Sequence, residues 1–75
     1  MKEHDLTVLT RDLSEQHLLA GDVGTIVHAY PQGGSWEVEF MAADGRTIAV
    51  LTLTAADIRP QHADEILHVR SLALA

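Results

Sequence analysis

The stretch that decides the fold is SWEVEF, residues 35–40. Apolar and acidic residues alternate strictly here, with Trp36, Val38 and Phe40 at one set of positions. Glu37 and Glu39 occupy the other set. Because successive side chains of a β-strand point to opposite faces, this period of two predicts a strand with an apolar inner side and an acidic outer side. We therefore expect a β-sheet with one face packed on a core and the other in water.

Turn signals bound this strand on both sides and predict its neighbours. PQGG at residues 31–34 and ADG at 43–45 combine residues that favour tight chain reversals. Runs rich in β-branched residues predict further strands over 6–10, 25–30 and 47–53. Simple alternation in the strand over 25–30 places Ile26, His28 and Tyr30 on one face, and Gly24 before it leaves room for close packing. The strand over 47–53 is apolar on both faces, which predicts burial on both sides.

The remaining segments are less regular. Residues 11–21 are expected to form a long loop whose leucines pack back onto the sheet. Residues 54–58 suit a single helical or 3-10 turn capped by Thr54, followed by a short fifth strand. The tail at 64–72 fits a helix face through Ile66, Val69 and Leu72 and also fits a strand, and we expect an extended segment there.

This order of parts resembles the SH3-like barrel. The runs LTRDL at 9–13, LAGDVGTIV at 19–27, WEVEF at 36–40, VLTL at 50–53 and DEILHVR at 64–70 are similar to a bacterial family described only as domain of unknown function 4926. That resemblance implies a small stand-alone protein of mainly-β class, and it carries no established activity or catalytic residue. We expect an SH3-like barrel of about five antiparallel strands with a short 3-10 turn, as one domain over 1–75. The barrel would span about 5–61 and a C-terminal extension 62–75.

Length, composition and charge limit the classes of function that the chain can have. A chain of 75 residues buries a small core, and without cysteine it has no disulfide to stabilise it, so self-association or a partner protein is expected. A formal charge of −6 disfavours binding to nucleic acid, because phosphates are repelled at long range. The charged N-terminus is followed by no apolar run typical of a signal peptide or membrane span, which predicts a cytoplasmic protein.

Residue types that carry chemistry do not form a specific motif. The five histidines lack the spacing of zinc ligands, so no metal and no cofactor are expected. Glu37 and Glu39 would lie about 6.5–7 Å apart, a separation found between the acid and base of glycosidases. Alternating exposed glutamates are nevertheless the ordinary outer face of a half-buried strand. We expect no enzymatic activity.

The function hypothesis is a protein-interaction module that self-associates or neutralises or assists a partner, in the manner of an antitoxin or immunity protein. The candidate interface residues are Tyr30, Glu37, Glu39, Ala49, Leu51 and Leu53. One alternative is an RNA-binding barrel using Arg11, Arg46 and Arg59, because GDVGTIV at 21–27 is similar to a motif of ribosomal and transcription-elongation proteins. Another is an accessory subunit of an enzyme, because the same motif resembles the SH3-like domain of the nitrile hydratase β subunit.

Overall fold

The computed structural model of the protein describes residues 1–72 and contains one antiparallel sheet of five strands. The strands are β1 (Leu6–Leu9), β2 (Val23–Ala29), β3 (Ser35–Met41), β4 (Thr47–Thr54) and β5 (Ile58–Pro60). Their order across the sheet is β4-β3-β2-β1-β5, and a 3-10 helix at Ser14–Gln16 lies between β1 and β2. The prediction of a mainly-β fold with about five antiparallel strands and a short 3-10 turn is confirmed. Residues 1–72 include no helix with the length and hydrophobicity of a transmembrane span.

The core lies against the inner side of β3, as its alternation predicts. Val38 is 0% and Phe40 2% exposed, and Ile26 of β2, which is directly opposite Val38, is 0% exposed. The other core residues are Val8, Leu9, Leu18, Leu53 and Ile58. Trp36 is half-buried against this core, and its indole Nε1 donates a hydrogen bond of 2.8 Å to the carbonyl oxygen of Met1. The N-terminal residue is therefore tied to the start of β3.

Gly24 permits the close contact between β2 and β3. A Cβ at this position would lie 2.7 Å from Cγ1 of Val38, 2.9 Å from Cε1 of Phe40 and 3.0 Å from the carbonyl oxygen of Glu39. These distances are shorter than van der Waals contact, so only a residue without a side chain fits. The close packing expected at the start of this strand is confirmed.

A β-bulge in β2 places Ile26 and His28 on opposite faces of the sheet. Ile26 pairs with Val38, but the next pair in the ladder is His28 with Glu37, so Val27 is an additional residue. An extra residue reverses the alternation that follows it. Ile26 therefore points into the core, whereas His28 points outward beside Glu37, and the expectation that they share a face is wrong.

The two connections, residues 11–21 and 54–58, each contain a short turn. The 3-10 helix lies within the 11–21 segment that we expected to be a loop, and of its leucines Leu18 is buried while Leu19 remains 42% exposed. At 54–58, where a single helical or 3-10 turn capped by Thr54 is predicted, residues 55–57 form one turn in which the N–H of Asp57 donates to the carbonyl oxygen of Thr54 at 2.8 Å, and Oγ1 of Thr54 accepts the N–H of Ala56 at 3.3 Å. Asp57 closes this turn by accepting the backbone N–H of Thr54 at 3.0 Å and Nε of Arg11 at 2.7 Å. These two hydrogen bonds, that of Thr54 first, lower the pKa of the Asp57 carboxyl.

β4 is not buried on both sides, contrary to expectation. Leu53 is 5% exposed and lies in the core, and Ala49 and Leu51 pack against it. On the opposite side of the strand Val50 is 51% exposed. The inner side of β4 is thus covered by this chain's own core, and its outer side is open.

Residues 61–72 form neither a helix nor a strand. Glu65 holds the segment by accepting two hydrogen bonds from Arg59, at 2.9 and 2.6 Å, and one from the N–H of His62 at 2.6 Å. These bonds lower the pKa of Glu65 to about 2. Farther along, Arg70 pairs with Asp22 at 2.5 Å, while Ile66 between the two anchors is 92% exposed. The last three residues of the predicted C-terminal extension lie outside the described residues.

Candidate functional site

The outer sides of β2, β3 and β4 form one continuous surface. Residues directly opposite one another in a sheet share a face. One row across the three strands is His28, Glu37 and Thr52, and the next is Thr25, Glu39 and Val50. We call this surface, together with Tyr30 and Thr47 at its margins, the acidic face.

The carboxylate of Glu37 is held in place by donors from both sides. Oγ1 of Thr52 donates to Oε1 at 2.7 Å, and the hydroxyl of Tyr30 donates to Oε2 at 3.0 Å. Because each oxygen accepts a separate hydrogen bond, the plane of the carboxylate is fixed. The hydrogen bond to Glu37 also raises the pKa of Tyr30, since it stabilises the protonated phenol.

An aromatic pair borders this carboxylate. The rings of His28 and Tyr30 meet edge to face, with centroids 4.6 Å apart and planes at 86°. Such an arrangement is a favourable geometry for two aromatic rings. The bulge in β2 produces it, because it turns His28 to the outer side where Tyr30 lies.

Glu39 is the second carboxylate of the acidic face. Oγ1 of Thr47 donates to its Oε2 at 2.6 Å. Within residues 1–72, no hydrogen bond reaches its other oxygen. Glu39 is half-buried, as is Glu37, so both charges lie close to the sheet surface.

Every arginine of the chain is paired with a carboxylate away from the acidic face. The pairs are Arg11 with Asp57, Arg46 with Asp44, Arg59 with Glu65, and Arg70 with Asp22, at distances of 2.7, 3.1, 2.6 and 2.5 Å. Among the described residues no basic side chain forms an ion pair with Glu37 or Glu39. The two carboxylates therefore keep their charge uncompensated by this chain.

The structure separates the predicted interface residues into two groups. Tyr30, Glu37 and Glu39 come together on the acidic face. The other three, Ala49, Leu51 and Leu53, lie on the inner side of β4, where they contact the core.

Sequence reasoning missed Val50 as an outward-facing member of the acidic face, whereas it allowed that adjacent outer strands could bring His28 near Glu37 or Glu39, and His28 does pair with Glu37. Val50 lies directly opposite Glu39 in the ladder of β3 and β4. The register of these two strands, once known, therefore places Val50 on the outer side. The position of His28 depends on the bulge, for which we find no signal in the sequence.

Other chemistry has less support in the described part of the chain. Residues 1–72 contain no cluster of three or more histidine, aspartate or glutamate side chains that could bind a metal ion. A shallow groove of about 390 Å³ lies between the 3-10 helix and the first residues of β4. Its polar lining includes Glu15, His17 and Arg46, and Leu72 of the tail contributes an apolar wall.

The comparisons with known proteins identify a family without an assigned role. The model of a family described as "Domain of unknown function (DUF4926)" matches residues 3–60, as the sequence resemblance predicts. No curated protein and no solved structure matches the chain.

Proposed function

The chain belongs to the DUF4926 family, and since that family carries no assigned activity, we propose a function from the chain's own surface. It is a non-catalytic protein-interaction module whose acidic face binds a basic surface of a partner protein. The observation that carries this proposal is the Glu37 carboxylate, which is oriented by Tyr30 and Thr52 and is paired with no cation of residues 1–72. An antitoxin or immunity-like role fits this chemistry, because an acidic protein can associate rapidly with a basic active site and cover it.

A guanidinium group is the partner chemistry that the acidic face fits best. Each carboxylate oxygen has two acceptor positions, so Glu37 keeps a free one on each oxygen after binding its hydroxyl donors. A fixed carboxylate plane matches the planar fork of arginine, which forms two parallel hydrogen bonds. The aromatic ring of Tyr30 beside it offers a surface on which a guanidinium can stack.

Long-range charge supports the same partner. The chain carries a formal charge of −6, and its arginines are engaged with carboxylates outside the acidic face. A negative field accelerates association with a positive surface and slows it with phosphate backbones. The arginines that an RNA-binding role would need, Arg11, Arg46 and Arg59, are in ion pairs.

The test compares partner capture by three forms of the protein in cells that produce it. Wild type is compared with the double variant Glu37→Gln/Glu39→Gln and with the matched control Glu3→Gln/Glu15→Gln. The control removes the same charge from two exposed residues elsewhere. We expect wild type and control to retain one protein that rising salt releases, and the acidic-face variant to lose it at least tenfold. Equal retention by all three forms would refute the proposal.

A synthetic arginine-rich peptide provides a direct measurement on the purified protein. We expect its addition to shift the amide resonances of β3 and of Thr52 in the wild type and to leave them unchanged in Glu37→Gln/Glu39→Gln. Salt-dependent binding of single-stranded RNA, with no binding of the peptide, would instead favour the nucleic-acid alternative.

A further inference from the structure

The two edges of the sheet differ in how they are protected. β5 at one edge has three residues and includes Arg59 and Pro60. β4 at the other edge has eight residues, TIAVLTLT, with neither a charge nor a proline. Natural proteins protect edge strands with short length, charge, proline or bulges, because an open edge can pair with another chain. β5 has these protections, and β4 has only a bulge near its first residues.

The open edge of β4 also has free backbone groups. β4 pairs with β3 alone. Within residues 1–72, positions 48–53 form no backbone hydrogen bonds other than those of this ladder. In an edge strand, alternate N–H and C=O groups point away from the only neighbour. Leu72 of the tail and Ile48 near the start of β4 line the same groove, and within residues 1–72 the edge from Ala49 onward has no hydrogen-bonded neighbour other than β3.

We propose that β4 pairs antiparallel with β4 of a second copy of this chain, around a two-fold axis perpendicular to the sheet. The dimer then has one continuous sheet of ten strands. Such an axis keeps outward side chains on the same side, so Val50 and Thr52 of one copy lie opposite the same outward positions of the other. The proposal does not depend on what the acidic face binds.

Charge determines which surface a second copy of the chain can use. Two chains of formal charge −6 repel one another, and an isologous contact places like surfaces together. Contact through the acidic faces would bring Glu37 and Glu39 against their own copies. The β4 edge brings no charged side chain of the strand into contact. It leaves the two β3 strands three strand spacings apart, about 14 Å, which exceeds the screening length of about 8 Å at physiological salt.

The expected dimer is a weak one. A single edge-to-edge contact lies at the small end of interface sizes, below about 1,200 Å². We therefore expect a monomer–dimer equilibrium that depends on protein concentration. Rising salt should strengthen it, since salt screens the repulsion between the two negative chains. Binding of a basic partner to the acidic face should respond to salt in the opposite direction, which keeps the two proposals distinguishable.

The test is sedimentation equilibrium on the full-length protein over a concentration series, with the variants Val50→Lys and Val27→Lys. Val27 is the matched control, because it is 40% exposed compared with 51% for Val50 but lies on β2, between two other strands. Both variants reduce the net negative charge equally. We expect Val50→Lys to weaken dimerisation at least tenfold and Val27→Lys to leave it unchanged or slightly stronger. A monomer at every concentration, or equal weakening by both variants, would overturn the proposal.

Hydrogen exchange of the wild-type protein gives a second readout that needs no variant. Dimerisation should slow exchange at alternate amides of β4, those directed away from β3, when the protein is concentrated. Slowing elsewhere in the chain with β4 unchanged would place the interface on another surface and would also overturn the proposal.

Discussion

The two sides of β3 show how one strand serves two purposes. On the inner side Val38 and Phe40 are 0% and 2% exposed and contact the rest of the core. On the outer side Glu37 and Glu39 remain half-buried, with hydroxyl groups of neighbouring residues as their hydrogen-bond donors. Packing against the core therefore stabilises the inner side chains of β3, whereas hydrogen bonds from hydroxyl groups hold its outer side chains in place. Stability and binding should accordingly respond to different residues of one strand.

The largest effect should come from removing the main inner side chain. We expect Phe40→Ala to reduce the free energy of unfolding by about 3–5 kcal/mol, because it deletes a buried ring and leaves a cavity. Glu39→Ala, its neighbour on the outer side, should change the free energy of unfolding by about 0.5 kcal/mol or less. Urea unfolding followed by fluorescence of Trp36, the only tryptophan, measures both. Equal costs would show that the two sides of β3 do not differ in the way described.

A smaller loss of stability is expected from a substitution at Gly24, where β2 lies closest to the inner side chains of β3. Gly24→Ala places a Cβ 2.7 Å from Cγ1 of Val38 and 3.0 Å from the carbonyl oxygen of Glu39. Overpacking of this kind costs about 1–3 kcal/mol. In a double-mutant cycle, Val38→Ala should cost less in the Gly24→Ala background than in the wild type, because it removes the closest clash. If the free-energy costs of the two substitutions simply added, the strain would lie in the contact with the carbonyl oxygen of Glu39. No side-chain substitution can relieve that contact.

The sequence predicted the inner side of β3 more completely than the outer side. Alternation over 35–40 assigns each residue to a face, and the apolar face must be the buried one. In β4 both faces are apolar, so alternation could not show which one meets the core. Alternation alone therefore does not show that Ala49, Leu51 and Leu53, the predicted interface residues of this strand, lie on the side that contacts the core.

Two other features of the acidic face lie beyond any local pattern. The bulge that turns His28 outward depends on how β2 pairs with β3. The ion pairs that engage Arg11 and Arg70 join residues 46 and 48 positions apart in the chain. Only the folded structure shows that these cations are unavailable to Glu37 and Glu39. The charge of the acidic face is therefore a property of the tertiary structure.

The smallest expected effect is on the pKa of the Tyr30 hydroxyl, on the outer side of the sheet. The hydrogen bond from Tyr30 to Glu37 raises the pKa of the phenol above its usual value. The folded state thus favours the protonated phenol. This contribution to stability is complete below the pKa of tyrosine in the unfolded chain, about 10, and is lost as pH rises through the higher pKa of the folded state. Because Tyr30 is the only tyrosine, its ionisation can be followed by ultraviolet absorbance without interference from another phenol.

Two single variants show whether the hydrogen bond to Glu37 or the overall negative charge of the acidic face raises the pKa of Tyr30. Glu37→Gln should lower the pKa of Tyr30 toward its value in the urea-unfolded chain, since the charged acceptor is lost. Glu39→Gln removes the same charge from the same strand but contacts Thr47, not Tyr30, and should leave that pKa nearly unchanged. If both variants lowered the pKa equally, the summed negative charge would be its cause. The Glu37 carboxylate would then lack the fixed orientation that makes it a receptor for a guanidinium group.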